Sequence, residues 1–218
     1  MNSKYRNTPY YNRAINAIQN LNTSDENKDL IANSIASLLE RNKDLDIDEN
    51  VMMERLGNLN EIIYEDYGSD STIDGYCNSS HTLISINDSI DTKSDEHQEV
   101  LIHELMHQIS NIHDASRGMT GINGLPYHDY NYINEVITQI NTYDICQDLG
   151  INSYYKQYSV DIPGGAKCVC KSCGGGYNTI NKVGEELAES LKKVDKTMHN
   201  ITIHYMEKND FEKYWDVS

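Results

Sequence analysis

The chain has 218 residues, of which 34 are acidic and 18 are basic, so its formal net charge at neutral pH is −16. This acidity, together with the absence of any cluster of lysine and arginine in the sequence, argues against nucleic acid as a partner, because phosphates would be repelled. No apolar run approaches the roughly 20 residues that cross a membrane, and the first residues carry no secretory signal, which predicts a cytoplasmic protein without a membrane span.

The first part of the chain, residues 1–58, has the pattern of packed helices. Apolar residues recur every three or four positions, as expected for helices with one buried face. Ahead of the second helix, Thr23 and Glu26 match a capping box, in which the threonine hydroxyl accepts a hydrogen bond from the first turn. The predicted helices are 9–22, 24–41 and about 49–57.

The central part, residues 59–150, mixes strand and helix patterns. The predicted strands are Glu61–Asp66 and His81–Asn87, and the predicted helices are Asp95–Asn111 and Tyr130–Leu149, the latter ending before Gly150. Thr92 or Ser94 can cap the first of these helices, and Gly68 and Gly75 indicate turns. Helices, a small sheet and further helices in this order predict an α+β fold in a single domain, residues 1–218.

The last part, residues 151–218, contains a cysteine cluster in an irregular loop and then helices from Thr179 to about Lys208. Three thiolates within six residues can hold a structural metal, but they can also stay unligated or form a disulfide, and the pattern does not decide among these three states. Without a secretory signal, reduced thiols are the default. The cluster consists of Cys168, Cys170 and Cys173.

The segment most informative about chemistry is HELMH, residues 103–107. Two histidines four positions apart lie on the same helix face, so His103 and His107 can present ring nitrogens to one metal ion. Zn²⁺ suits neutral imidazole ligands and lowers the pKa of a bound water, whose proton Glu104 can accept. His97 lies off this face and is expected to be exposed. An apolar face for packing lies opposite: Leu101, Leu105, Ile109 and Ile112.

A catalytic zinc site needs a third protein ligand and one open position. His113 completes the metzincin spacing, but Ser110 stands where that family has a glycine, and a helix continuing through Asn111 would carry His113 away from the metal. Glu135 is the other candidate, on the next predicted helix. We favour Glu135 and keep His113 as the second candidate.

HELMH followed by NEVITQ, residues 134–139, resembles the gluzincin pattern of zinc peptidases and, most of all, small bacterial metallopeptidases with an NE-x-x-T helix. The resemblance covers about 81–148, a third of the chain. It implies a zincin-like fold: a small mixed sheet with an edge strand above a cleft, an active-site helix and a glutamate helix, here with mostly helical flanks. It also implies that Glu135 is a zinc ligand and that His81–Asn87 is the edge strand.

One position departs from the gluzincin pattern. Gluzincins place an acid after the Ser/Thr to hold a ligand histidine by its second nitrogen, and this chain has Gln139 there, whose amide oxygen can accept the bond without adding charge. Tyr127, shortly before the glutamate helix, is the candidate for stabilising the transition state, because related enzymes often use a tyrosine or histidine in that region.

The sequence therefore predicts a zinc metallopeptidase that hydrolyses peptide bonds in a peptide or protein substrate, with one catalytic Zn²⁺. Peptide deformylase shares the HExxH motif, but its glycine-rich and cysteine-bearing upstream motifs are not found around Cys77. Two competing hypotheses stay open: a catalytically silent zinc-binding or interaction protein, and a metzincin-like peptidase with His113 as the third ligand.

Overall fold

A computed structural model describes residues 4–68, 73–110, 138–139, 141–153 and 200. The chain divides into two compact units. The first comprises Met1–Asp44, Asp48–Ser110 and Asn141–Tyr154, and the second comprises Leu45–Ile47, Asn111–Ile140 and Tyr155–Ser218. Nearly all described residues belong to the first unit, which contains the HELMH segment.

The described residues of the first unit form an α+β structure in which five helices accompany one small sheet. The helices are α1 (Pro9–Ala17), α2 (Asp25–Arg41), α3 (Glu49–Gly57), α4 (Asp95–Ile109) and α5 (141–149). The strands are β1 (Glu61–Glu65), β2 (Gly75–Cys77) and β3 (Leu83–Asn87). The predicted α+β class is confirmed. In the described part of the chain, no helix has the length and apolar character needed to span a membrane.

Helix α2 forms the centre of the helical part. Its apolar side chains are buried along most of its length, and its buried polar side chains bond to neighbouring segments: Asn33 accepts from the backbone N–H of Tyr5, and Ser37 donates to Asp148. The predicted capping box at Thr23 is wrong, because Ser24 is the N-cap and its hydroxyl accepts from Asn27 N–H. Thr23 instead accepts from the Asn27 side-chain amide at 2.9 Å.

The sheet has the strand order β1-β3-β2, with β1 parallel and β2 antiparallel to β3. The prediction that His81–Asn87 forms the edge strand is therefore wrong, because β3 is the central strand of the described sheet. Its residues Ile84 and Ile86 are fully buried, which suits a strand paired on both sides. Gly75 was predicted to lie in a turn, but it is the first residue of β2, which forms one edge of the described sheet.

Helix α4 packs against β2 and β3 and carries the HELMH segment. Ser94 caps it by accepting from His97 N–H at 3.0 Å, as predicted. Leu101, Leu105 and Ile109 are buried, which confirms the apolar face for the described residues. The prediction that His97 is exposed is wrong. It is 1% exposed, because its ring packs against Tyr64 of β1.

Helix α5 ends as predicted before Gly150. This glycine has φ 72°, and its N–H donates to the carbonyl of Gln147 while Ile151 N–H donates to that of Cys146. The pair of bonds is a Schellman motif, which glycine favours because it adopts positive φ without strain. The start of the predicted helix Tyr130–Leu149 lies outside the described residues.

Candidate active site

His103 and His107 converge at one point on the surface of α4. Their Nε2 atoms lie 3.2 Å apart, and the ring planes are inclined at 74°. Both residues are half-buried. Two imidazole nitrogens at this distance must either share a proton or bind a common cation. Tetrahedral zinc with Zn–N bonds of about 2.0–2.1 Å would place its ligand nitrogens about 3.3 Å apart.

Glu104 lies beside this pair on the side of α4 that faces β2. It is 7% exposed, and its Cγ is close to the backbone of Gly75. The Glu104 side chain is therefore largely shielded from bulk water between α4 and β2.

The contact between β2 and α4 depends on a glycine. A Cβ atom built on Gly75 would lie 2.8 Å from Val100 Cγ1, 3.0 Å from the carbonyl oxygen of Ser85 and 3.2 Å from Glu104 Cγ. Real Cβ atoms essentially never approach other atoms within 3.0 Å. A side chain at residue 75 would therefore require Val100 to move, or β2 and α4 to separate, and would press on Glu104 Cγ.

Cys77, at the other end of β2, also faces α4. Burial, with a smaller contribution from the negative charge of Glu104, raises the pKa of its thiol to about 12. The thiol therefore stays protonated and donates to Oε1 of Gln108 at 3.4 Å. Cys77 thus packs between β2 and α4, close to Glu104.

Gln108 holds the C-terminal end of helix α4 in place. It is 1% exposed, and its amide nitrogen donates to the backbone carbonyls of Arg55 at 2.9 Å and His81 at 2.6 Å. Arg55 in turn donates from Nη1 to the carbonyl of Ile109 at 3.1 Å. These bonds satisfy groups at the C-terminal end of α4 and connect it to α3 and to the turn before β3.

Helix α4 ends earlier than predicted. Its last residue is Ile109, and Ser110 has an extended backbone with φ −98° and ψ 140°. The prediction of a helix through Asn111 is therefore wrong by two residues. The chain leaves the helix at Ser110, which is not a glycine. A continued helix is therefore no longer a reason to reject His113 as a zinc ligand.

Several predicted site residues lie outside the described residues. They are Tyr127, Glu135, His113 and the cluster of Cys168, Cys170 and Cys173. Thr138 and Gln139, from the NEVITQ segment, are helical and buried. Among the described residues, no group of three or more His, Cys, Asp and Glu side chains could hold a metal ion.

Comparison with known proteins gives no further guidance to the family. No family model, no curated protein and no solved structure matches the chain.

Gly75 and Gln108 are residues of the candidate site that no sequence pattern predicts. A lone glycine within a strand indicates close approach of another segment, but β2 has only three residues and gave no strand pattern in the sequence. Gln108 immediately follows HELMH, yet its role depends on carbonyls that are distant in the sequence. No local pattern could have revealed that role.

Proposed function

We propose that this protein is a zinc-dependent metallopeptidase of the gluzincin type. The proposal is based on the distance between the Nε2 atoms of His103 and His107, which is 3.2 Å. Two nitrogen ligands of one tetrahedral zinc are expected to lie about 3.3 Å apart. Both histidines are half-buried on α4, one turn apart, next to the buried Glu104. The sequence resemblance over residues 81–148 supports the same class.

Glu104 would act as the general base and acid. Zinc bound to the two histidines would supply a water of lowered pKa and would polarise the carbonyl group of the substrate. Glu104 would accept the proton of that water as it attacks and would then donate it to the nitrogen of the departing amine. Its burial beside β2 and its position next to His103 on α4 support this role.

Strand β2 is our candidate for the strand that binds substrate. In an antiparallel pair, residues alternate between those bonded to the partner strand and those directed away from it. Asn87 N–H bonds to the carbonyl of Asp74, and Asn78 N–H bonds to that of Leu83, so the backbone groups of Gly75 and Cys77 are directed away from β3. An extended peptide could pair with them beside Glu104.

The third zinc ligand is proposed to be Glu135. The support is the resemblance of residues 134–139 to the gluzincin pattern. A carboxylate would leave the site a charge of +1, against +2 with three imidazoles. His113 is the second candidate, and the early end of α4 at Ser110 favours it, because the chain turns out of the helix three residues after His107.

The proposal can be tested with a mixed peptide library. Purified protein is incubated with the library with and without a zinc chelator, and Glu104→Gln, which removes the carboxylate but keeps its shape, serves as the matched control. Cleavage that is lost with chelator, restored by zinc and absent in Glu104→Gln would support the peptidase. Zinc binding without any cleavage by the wild-type protein would instead indicate the silent zinc-binding protein.

A further inference from the structure

We infer that Gly75 is a positioning residue for Glu104: the missing side chain at residue 75 lets β2 lie directly on α4 and fixes where the Glu104 carboxylate stands relative to His103 and His107. The inference rests on the proposed function, in which Glu104 handles the proton. It adds a residue that is neither a zinc ligand nor a proton carrier.

The geometry limits what residue 75 can be. Of the three closest neighbours of a Cβ at this position, one is the carbonyl oxygen of Ser85, which belongs to the paired strand β3 and cannot yield without disturbing the sheet. The other two are side-chain atoms of α4, Val100 Cγ1 and Glu104 Cγ. A side chain at residue 75 would therefore press against α4 at Val100 and at Glu104, the candidate general base.

The same glycine brings the candidate substrate strand close to the base. Gly75 and Glu104 belong to different elements, but Glu104 Cγ lies only 3.2 Å from the position that a Cβ of residue 75 would take. A peptide paired with the backbone of Gly75 would thus have its carbonyl group near Glu104. Precise placement matters, because a misplacement of about 1 Å can cost about 100-fold in rate.

The first test compares two glycine substitutions in the full-length, zinc-loaded protein. Gly75→Ala should lower kcat by about tenfold or more, with KM changed much less. Zinc affinity should stay within about threefold, well below the 10–100-fold lost when a group bonded to a ligand is removed. Gly57→Ala is the matched control. Among the described residues, a Cβ at this position meets only the Ala17 carbonyl oxygen, at an ordinary 3.4 Å, so kcat should not change.

A second background separates the effect on Glu104 from general disruption of the fold. Val100→Ala removes the 2.8 Å contact, the shortest of the three, and leaves only those with the Ser85 carbonyl oxygen and Glu104 Cγ among the three closest neighbours. Gly75→Ala added to Val100→Ala should still lower kcat relative to Val100→Ala alone, because the contact with Glu104 Cγ remains. If Gly75→Ala by itself does not fold, this comparison still tests whether a Cβ at residue 75 displaces Glu104.

Crystal structures of metal-free Val100→Ala and of the double variant give a readout that does not depend on activity. We expect the Glu104 carboxylate to shift relative to the His103 and His107 rings when the Cβ is added. An unmoved Glu104, or an active enzyme whose kcat is unchanged by Gly75→Ala, would overturn this inference alone. Wild-type protein that binds zinc and cleaves nothing would overturn the proposed function, and the structures would still decide whether Gly75 places Glu104.

Discussion

The hydroxyl of Tyr64 on β1 lies 3.0 Å from Nε2 of His97 on α4, two turns before the HELMH segment. The same hydroxyl accepts a hydrogen bond from the side-chain amide of Asn27 at 3.0 Å, so its own hydrogen is available to the imidazole. The Tyr64 hydroxyl thus connects the sheet both with α2 and with helix α4.

The buried His97 should make the protein less stable in mild acid. Burial lowers the pKa of His97, which outweighs the opposing effect of Asp91. Because the folded state then binds its proton less readily than the unfolded state, the free energy of unfolding should fall as pH drops through about 6.5, the unfolded value, towards the lower folded pKa. Denaturant unfolding at pH 7.5 and pH 5.5 measures the effect.

The matched variant for this prediction is His97→Phe, which keeps a ring against Tyr64 but cannot be protonated. The loss of stability between the two pH values should be smaller in His97→Phe than in the wild type, although its stability at pH 7.5 should be lower. An equal loss in both proteins would show that other groups cause the acid effect.

Zinc affinity should depend on Glu135 more than on His113. A direct ligand contributes more than a supporting group, so Glu135→Ala should weaken zinc binding by at least about 10–100-fold, whereas His113→Ala should change it little. Titration with a competing chelator ranks the two variants. The opposite ranking would replace the gluzincin-type site with a metzincin-like one.

The cysteine cluster should be dispensable for catalysis. Cys168, Cys170 and Cys173 lie outside the stretch that resembles zinc peptidases, so replacing all three by Ser should preserve turnover, even if the melting temperature falls with the loss of a structural metal. Turnover is measured with the fold checked by circular dichroism. Complete loss of turnover in a folded triple variant would place the cluster in the active site.

The corrected helix cap makes a simple stability prediction. Ser24→Ala removes the acceptor for Asn27 N–H at the start of α2 and should cost about 1 kcal/mol in the free energy of unfolding. Thr23→Ala, the neighbouring control, loses only a side-chain hydrogen bond and should cost less. If denaturant unfolding showed that Thr23→Ala lowers the free energy of unfolding more than Ser24→Ala does, Thr23 would be the N-cap after all.

The sequence predicted the features that depend on nearby residues. Helix α4, its cap at Ser94 and the orientation of His103 and His107 follow from helix periodicity and local hydrogen bonds, which operate within a few positions along the chain. The end of α5 at Gly150 follows in the same way, because a glycine there permits the positive φ of a Schellman motif.

The features that the sequence did not predict depend on distant segments. The central position of β3 results from pairing with both β1 and β2, and no local pattern specifies a partner. His97 was expected to be exposed because it lies off the metal-binding face, but β1 supplies Tyr64 to cover it. Gly75 was predicted to be a turn residue, because a glycine between polar residues is typical of a turn. Its close contact with Glu104 could not be predicted, since the two residues are 29 positions apart in the sequence.

An anomalous diffraction map of zinc-loaded crystals tests the central claim most directly. Data collected on either side of the zinc absorption edge locate the metal and its ligands without any assay of activity. We expect one zinc peak, about 2.0–2.1 Å from Nε2 of both His103 and His107, with a water beside Glu104. The absence of a peak between the two histidines in a zinc-saturated crystal would contradict it.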